Sequence, residues 1–322
     1  MPTSHPDSFP RMVGDIGGTN ARFALIHGPA CLPQQVETFR CADFAGPREV
    51  IACYLKDCGS VQPVWAAIGI ATPIDGDQVR MTNHDWAFSI EALRRDLGLA
   101  RLCFLNDFTA LALSIPALAP HELRQVGGGR AAKGRAIGVV GPGTGLGVSG
   151  LLPNGKGWIP LEGEGGHVTL AASTAHEAEL IGLLARRYSH VSAERLISGA
   201  GLVALHEANA ALSGRVAEAL DPGEISRRAL SGECEHCVTV VNDFCALLGT
   251  VAADIALILG ARGGLYIGGG IVPRLGAFFD ASPFRARFEH KGRFSAYLAE
   301  VPTFVIDAPW PALIGAAHSL ED

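Results

Sequence analysis

Three glycine-rich turns follow one another along this chain of 322 residues, at positions 15–20, 141–147 and 268–273. A short apolar run flanks each turn. Several backbone N–H groups must converge to hold a phosphate, and glycine lets the chain come close and take the positive φ angles that such a nest requires. One cluster of this kind usually does no more than close a hairpin, but three in order predict the parts of a single polyphosphate-binding site.

Charge and composition limit the classes of partner. The formal net charge is −6, and no basic cluster of the kind that follows DNA or an anionic membrane interrupts it. We therefore expect a local phosphate site, with neither nucleic acid nor membrane as a partner. Hydrophobic residues make up 48% of the chain, which is enough to build the cores of two domains of ordinary size.

The chain carries no pattern typical of secretion. Its first ten residues are polar and proline-rich, so they predict a loose tail rather than a secretory signal. The longest apolar segment, 238–259, is interrupted by Asn242, Asp243 and Asp254, which favours a core helix over a membrane span. The eight cysteines have no repeating spacing, which is typical of buried thiols in a reducing compartment. We expect a cytoplasmic protein.

The first hundred residues have the pattern of an α/β domain. Short apolar runs predict strands at 13–16, 22–26, 65–71 and 102–105. A helix is expected to begin at Pro47 and to stop at Gly59, and a second to follow the N-cap Ser89 and to end at Gly98.

The second part of the chain begins after residue 117. A hairpin predicted at 137–140 and 148–152 resembles the opening hairpin in plan, which indicates two related halves with the nucleotide between them. Helices are predicted through 175–259, a strand at 265–267 and a helix start at Pro273. We predict a small α/β domain at 1–117, to which a C-terminal helix in 308–322 returns, and a large α+β domain at 118–307.

Five motifs together resemble the bacterial glucokinase family. They lie at 14–20, 105–108, 163–167, 192–195 and 268–273, and the resemblance covers nearly the whole chain. It implies an α/β, two-domain, actin-like (ribonuclease-H-like) ATPase fold with a cleft between the domains. It also implies phosphoryl transfer from ATP to the 6-hydroxyl of glucose, giving glucose 6-phosphate and ADP, as the first step of glycolysis, with Mg²⁺ as cofactor and a homodimeric state.

The turns carry the expected nucleotide site. Asp15 follows a strand and precedes two glycines, so its carboxylate is either a Mg²⁺ ligand or an Asx turn that caps the hairpin. Thr19, Asn20 and Thr144 either hold the β and γ phosphates or stabilise their own turns. The glycines at 268–270 resemble the family's adenosine element, although close packing of helix on strand also suits them. The resemblance implies nucleotide contacts by Gly14, Asp15, Ile16, Gly17, Gly18, Thr19, Asn20, Gly143, Thr144, Gly145, Gly268, Gly269 and Gly270.

A second set of residues suits a polyhydroxylated ligand. The local pattern at Asn106 and Asp107 favours a helix N-cap, whereas the resemblance makes Asp107 the catalytic base and Asn106 a ligand of neighbouring hydroxyls. It also places Glu164, His167 and Glu194 in the glucose site, where carboxylates and imidazole accept paired O–H donors.

The sugar-site residues have alternatives of their own. Glu194 alone fits a solvated helix residue equally well. Glu164 and His167 could form a metal pair, especially since Cys234 and Cys237 have a Cys-X-X-Cys spacing elsewhere. We do not expect zinc, because the cysteine-dense motif that accompanies the equivalent histidine in related sugar-binding proteins is missing.

Three other functions remain to be weighed. A sugar-responsive repressor on the same fold needs a pair of DNA-binding helices, which the dozen or so residues before Gly14 cannot form. An actin-like or chaperone-like ATPase has no need for a hydroxyl-binding set. A related hexose or amino-sugar kinase stays open, because the sequence does not reveal which epimer fits.

Overall fold

The structure is a computed structural model that describes residues 6–29, 32–82 and 84–321. The chain forms two compact units, which are Met1–Ala119 with Ala308–Asp322 (unit 1) and Pro120–Asp307 (unit 2). That each unit is an independent domain, with the boundaries expected from the sequence, stays a prediction.

Unit 1 is an α/β structure. Over its described residues the strands are β1 (Arg11–Ile16), β2 (Asn20–Ile26), β3 (Gln34–Arg40), β4 (Trp65–Ile70), β5 (Gln78–Arg80), β6 (Ala87–Ser89) and β7 (Arg101–Asn106). The helices are α1 (Pro47–Asp57), α2 (Ile90–Asp96), α3 (Asp107–Ser114) and a C-terminal helix (Pro311–His318).

The main sheet of unit 1 has the order β3-β2-β1-β4-β7. Strands β3, β2 and β1 are antiparallel, and β1, β4 and β7 run parallel. Alternate residues of β1 face opposite sides, so Met12 packs in a cluster with Tyr54 of α1, and Val13 packs in another with Leu313 of the C-terminal helix. Helices therefore cover both faces, which explains why β4 is almost entirely buried.

Local signals set the predicted helix ends. Pro47 occupies the first position of α1, and Gly59 follows its end with φ +81°. The Ser89 side chain accepts a hydrogen bond from the Ala92 N–H at 3.0 Å, and Gly98 has φ +66°. Both predicted helices are confirmed.

The predicted loose tail is wrong from residue 6 onward. Pro6–Ser8 form a 3₁₀ turn, and Ser8 is buried. The Ser8 hydroxyl accepts hydrogen bonds from the Arg11 guanidinium at 2.9 and 3.1 Å, which anchors the turn to the start of β1. Residues 1–5 lie outside the described part of the chain.

Unit 2 combines a sheet with many helices. Its described strands are β8 (Leu123–Val126), β9 (Ile137–Pro142), β10 (Leu146–Pro153), β11 (Trp158–Leu161), β12 (Leu265–Ile267) and β13 (Thr303–Ile306). Its helices are α4 (Ala175–Leu184), α5 (Ala193–Leu196), α6 (Gly199–Leu212), α7 (Pro222–Ser231), α8 (Glu235–Leu259), α9 (Val272–Leu275), α10 (Ala277–Ala281), α11 (Phe284–Glu289) and α12 (Ser295–Ala299).

The sheet of unit 2 has the order β11-β10-β9-β12-β13-β8. Its first five strands repeat the plan of unit 1, with three antiparallel strands followed by two that run parallel to the third. The predicted likeness of the two hairpins is thus confirmed. The second turn is shorter than predicted, because Gly141 and Gly147 pair with each other inside the strands and leave only residues 143–145 as the turn.

The long apolar helix α8 lies in the core of unit 2. By length and composition it could cross a membrane, but 72% of its most apolar 18-residue window is buried inside the structure, as in the core helix of a soluble protein. Phe244, Leu247 and Leu248 are among its fully buried side chains. The prediction of a core helix is confirmed.

Candidate active site

The predicted polar residues of unit 1 meet at one edge of its sheet. In the strand register Asp15 of β1 lies beside Gly69 of β4, which lies beside Leu105 of β7. The next row brings the ends of the three strands level at Ile16 and Asn106. Two strand spacings separate β1 from β7, or about 10 Å. The carboxyl ends of parallel strands thus bring the hairpin and the start of α3 to the same edge.

Asp15 has a mostly buried carboxylate with one cationic neighbour. Its side chain is 26% exposed, and its Oδ2 lies 3.7 Å from Nη1 of Arg22 on the paired strand β2. Burial raises the pKa of Asp15 above its ordinary value, and the Arg22 charge acts in the opposite direction. A second cation close to this carboxylate would therefore be favourable.

The turn after Asp15 is closed by the backbone. The Gly17 N–H donates to the Asn20 carbonyl at 2.8 Å, and the Thr19 carbonyl accepts from the Cys41 N–H at 2.9 Å. Thr19 and Asn20 are exposed. The turn thus has a fixed backbone with the Thr19 and Asn20 side chains open to solvent, where a ligand can reach them.

Asn106 and Asp107 form the start of α3. The Asn106 side-chain oxygen accepts from the N–H groups of Phe108 and Thr109 at 2.9 and 3.3 Å, so the helix-cap interpretation is confirmed for Asn106. Asp107 is the first helical residue, and its Oδ1 accepts from the Phe108 N–H at 2.9 Å. Asp107 is half-buried. The cap fixes the direction of the Asn106 side chain, and the Phe108 N–H orients the Asp107 carboxylate.

Gly69 lets α3 start close to the sheet, a role that the sequence did not reveal. A Cβ at this position would lie 3.2 Å from the Ala110 Cβ and 3.6 Å from the Asp107 Cα. The missing side chain therefore sets how near the Asp107 backbone comes to β4.

The two glycine turns of unit 2 contact each other. The Gly268 N–H donates to the Val140 carbonyl at 2.9 Å, and the Ile271 N–H donates to the Pro142 carbonyl at 3.3 Å. The Gly199 N–H at the start of α6 donates to the Gly143 carbonyl at 2.8 Å. Two distant turns and one helix N-terminus are joined in this way.

These turns form one wall of a cavity of about 580 Å³ inside unit 2. Helix α7 supplies another wall through Pro222, Ser226 and Arg227, and Arg274 of α9 adds a second guanidinium. The lining is mostly apolar, with the hydroxyls of Thr144 and Ser226 among its polar groups. A planar ring system that carries a negatively charged group fits a cavity with this lining.

The prediction that the glycines of these turns have positive φ angles is mostly wrong. Gly17, Gly143, Gly145 and Gly270 lie outside the left-handed region, whereas Gly269 has φ +77° and packs against the Pro142 carbonyl. Around Gly270 nothing lies within 4 Å of an added Cβ, and at Gly143 the nearest atom is 4.0 Å away. At these two positions the missing side chains leave space in the cavity wall, and the backbone angles do not require glycine.

Glu164, His167 and Glu194 form a cluster in unit 2. His167 Nε2 lies 3.8 Å from Glu164 Oε2, and His167 Nδ1 lies 4.0 Å from Glu194 Oε1. The Ala193 N–H donates to the Val168 carbonyl at 2.9 Å, which holds the two segments together. Glu164 and His167 have side chains more than half exposed, and Glu194 is 32% exposed. The sequence predicted these three residues as one site, and the structure brings them together.

Glu194 also supports the turn at 143–145. Its Oε2 accepts the Leu146 N–H at 2.9 Å and lies directly against the position of a Cβ on Gly145. One carboxylate thus faces His167 with Oε1 and the glycine turn with Oε2. The sequence placed Glu194 and Gly145 in different parts of the site, and nothing local indicated their contact.

A smaller polar cavity of about 310 Å³ adjoins this cluster. His167 and Glu194 line it together with Arg187, His190 and Arg195. The structure has no grouping of three or more His, Cys, Asp or Glu side chains suited to a metal ion within residues 6–29, 32–82 and 84–321. Unit 2 therefore offers a polar pocket beside the predicted sugar ligands.

Comparison with known proteins decides the family. The glucokinase family model matches residues 12–322. The chain belongs to the glucokinase family. It is 59% identical to a glucokinase of Aromatoleum aromaticum, over 100% of this chain and 98% of the relative.

Solved structures agree with this assignment. A glucokinase from an Antarctic psychrotroph shares 40% identity at a TM-score of 0.87, with 97% of this chain and 98% of that chain covered. A ROK-family glucokinase from Streptomyces griseus, in complex with glucose and AMPPNP, has the same fold at 18% identity and a TM-score of 0.67, over 96% and 98% of the two chains. The resemblance stated from the motifs is confirmed, and the chain is an ATP-dependent glucose kinase.

Proposed function

We propose that this kinase transfers the γ-phosphoryl group of ATP to the 6-hydroxyl of glucose, forming glucose 6-phosphate and ADP as the first step of glycolysis. The observation that carries the proposal is Glu194, whose carboxylate touches both the hydroxyl-binding cluster and a glycine turn of the nucleotide cavity. A donor and an acceptor bound at such adjoining places can react directly.

Asp107 is the catalytic base in this proposal. It takes the proton from the 6-hydroxyl while that oxygen attacks the phosphorus, and Asn106 binds a neighbouring hydroxyl through its side-chain amide. Glu164, His167 and Glu194 orient the sugar by accepting and donating hydrogen bonds.

The nucleotide lies along the glycine turns. The cavity beside Gly143 and Gly270 takes the adenosine, and Arg274 in its lining pairs with the nucleotide phosphates. Arg227 is held by Glu224 and Glu233. The Gly17 and Gly143 N–H groups donate within their own turns. The other backbone N–H groups of the turns at 17–20 and 143–145 stabilise the charge that develops on the transferred group.

Asp15 fits a Mg²⁺ site on its donor chemistry. Mg²⁺ is usually held by one or two carboxylates together with substrate phosphates and waters, so a single oxygen donor suffices here. A cation beside Asp15 would also offset the cost of burying its ionised carboxylate. When bound, the ion neutralises phosphate charge.

We further propose that the two units are actin-like, ribonuclease-H-like domains with the substrates in a cleft between them. Both units carry the same strand order, which supports a common origin for the two halves. Closure of such a cleft expels the water that would otherwise accept the phosphoryl group. A cytoplasmic homodimer is the state that we expect for the enzyme.

A sugar panel tests the proposal. Purified protein with Mg-ATP is assayed for ADP release on glucose, mannose, fructose, galactose and N-acetylglucosamine. The highest kcat/KM is expected for glucose, because the chain belongs to the glucokinase family. Polar groups that pair with particular hydroxyls discriminate against analogues. A higher kcat/KM for another sugar would assign the site to a related hexose or amino-sugar kinase instead.

A further inference from the structure

Two cysteines meet at the start of the long helix α8. Cys234 is the N-cap residue, and Cys237 lies in the first turn. The Cys237 N–H donates to the Cys234 sulfur at 3.4 Å. The two thiols also form a side-chain hydrogen bond with each other. Rotation of the side chains from this contact can bring the sulfurs to the S–S distance of a disulfide.

The two thiols have different surroundings. Cys234 is partly exposed, whereas Cys237 is buried. Hydrogen bonding from the Cys237 backbone N–H lowers the pKa of Cys234, and the Cys237 thiol, the His236 N–H and the Arg228 charge act in the same direction. Burial raises the pKa of Cys237 to about 12. An accessible thiol that ionises easily thus stands beside a buried one that stays protonated.

The neighbouring imidazoles do not complete a metal site. His236 Nε2 lies 3.1 Å from the His206 carbonyl, and the two rings stack edge to face at 4.6 Å between centroids. Among the residues that the structure describes, no set of three or more suitable ligands surrounds the two sulfurs. The geometry therefore describes a pair of thiols and does not support a metal site at Cys234 and Cys237.

We propose that Cys234 and Cys237 form a redox-active dithiol, which a low-molecular-weight disulfide such as glutathione disulfide converts to an intramolecular disulfide. The Cys234 thiolate attacks one sulfur of the small disulfide, forms a mixed disulfide and releases one thiolate. Cys237 then loses its proton to solvent and attacks the Cys234 sulfur, which releases the second thiolate. Both thiolates take up protons, so the protein loses two hydrogens and one small disulfide becomes two thiols.

The other described cysteines lack this arrangement. Cys41 and Cys245 are buried, Cys53 and Cys58 are five positions apart, and Cys103 has no second cysteine near it in the sequence. The Cys53 thiol donates to Asp57 Oδ2 at 3.8 Å, which gives it an anionic neighbour instead of a cationic one. Cys53 and Cys58 are therefore matched controls that are partly exposed and carry no resolving thiol three positions away.

The dithiol adjoins a wall of the nucleotide cavity. Helix α7, which lines the cavity, ends three residues before Cys234, and Arg227 of α7 pairs with Glu233. Disulfide formation between Cys234 and Cys237 does not depend on the kinase reaction.

Thiol mapping on the full-length reduced protein tests the proposal. The protein is incubated with glutathione disulfide, quenched with acid, alkylated and digested after glutamate, which separates Cys234 from Cys237 at Glu235. The expected product is a pair of peptides linked through these two sulfurs, formed at least about 10-fold faster than any adduct at Cys53 or Cys58, since thiolate fraction and access set the rate.

Two variants separate the steps. Cys237→Ser is expected to stop at one stable glutathione adduct on Cys234, and Cys234→Ser is expected to form neither adduct nor link at position 237. Circular dichroism of both reduced variants checks that they are folded. A stable adduct at Cys234 in the unchanged protein, faster reaction at Cys53 or Cys58, or no reaction of the folded protein would each overturn the proposal.

Discussion

For Asp107 the sequence presented helix capping and catalysis as alternatives. Its backbone continues from the Asn106 cap into α3, and its carboxylate accepts the adjacent Phe108 N–H. Capping by Asn106 and catalysis by Asp107 are therefore compatible, because the cap fixes the place from which the base acts.

Replacing the base tests its role. Asp107→Asn keeps the shape of the side chain but removes its basicity, so kcat is expected to fall by at least about 10²-fold. Glucose affinity should change by less than about 10-fold, because the lost interaction forms mainly in the transition state. Steady-state kinetics with glucose binding by calorimetry measure both quantities. Near-normal turnover would leave Asp107 as a structural residue.

The contact of Glu194 with Gly145 gives a second prediction at this scale. In Gly145→Ala the new methyl group occupies the place of Glu194 Oε2, so the carboxylate must leave its position at the Leu146 N–H and change its position relative to His167. We expect the glucose Kd, measured without nucleotide, to rise at least about 10-fold, or about 1.4 kcal/mol.

Gly182→Ala is the control for that variant. Nothing lies within 4 Å of a Cβ at Gly182, in helix α4, so its glucose Kd should stay at the unchanged value. An unaltered Kd in Gly145→Ala as well would mean that Glu194 does not depend on the turn.

Asp15 gives a prediction about pH. Because burial raises its pKa, folding favours the protonated form, and the ionised carboxylate costs stability at neutral pH. Asp15→Asn should therefore raise the Tm of the ligand-free protein at pH 8. The gain should shrink as the pH falls through the raised pKa and should vanish below the unfolded value of about 3.9. Thermal unfolding across pH 5–8 measures the trend, and a gain that grows toward low pH would show that Arg22 outweighs burial.

Among the elements, the C-terminal helix supports α3. Gly315 packs so closely on α3 that an added Cβ would overlap the Ala110 carbonyl and lie 2.9 Å from the Ser114 N. Glycine is needed here because a side chain has no space. The backbone angle does not require it, since Gly315 has no positive φ. The start of α3, with Asp107, is thus positioned by a helix from the far end of the chain.

Gly315→Ala tests this packing. Overpacking against a backbone carbonyl is expected to lower the free energy of unfolding by about 1–3 kcal/mol, despite the better helix propensity of alanine. Denaturant unfolding of this variant and of Gly182→Ala, which makes the same change in an open helical position, measures the difference. Equal stability of the two variants would show that α3 and the C-terminal helix have room to separate.

The elements themselves could be predicted because their signals are local. Pro47, Ser89, Gly59 and Gly98 act on the backbone within one turn of their own positions, so helix ends follow from the sequence. The turn at 143–145 was expected to be longer because strand pairing of Gly141 with Gly147 depends on residues across the hairpin. The turn at Pro6–Ser8, in which Ser8 is buried, depends on Arg11 in the same way.

At the scale of the whole molecule, the sequence grouped residues that the structure also brings together, but it did not reveal how they touch. Motif resemblance brought Glu164, His167 and Glu194 into one group, and their separations of 3.8–4.0 Å agree. The roles of Gly69 and Gly145 depend on neighbours distant in sequence, as do the α6 and α7 walls of the nucleotide cavity. Such contacts follow from tertiary packing, which local patterns do not encode.

The first five strands of the unit 2 sheet repeat the strand order of the unit 1 sheet. Each unit places a hairpin turn and the carboxyl ends of parallel strands at one edge of its sheet. In the proposed enzyme, unit 1 supplies the base and unit 2 supplies the sugar ligands and the adenosine cavity.

A crystal structure with glucose and a non-hydrolysable ATP analogue tests this arrangement most directly. The account predicts the Asp107 carboxylate within about 2.6–3.2 Å of the 6-hydroxyl and the phosphates against the glycine turns at 17–20 and 143–145. A 6-hydroxyl out of reach of Asp107, or phosphates bound away from these turns, would contradict it.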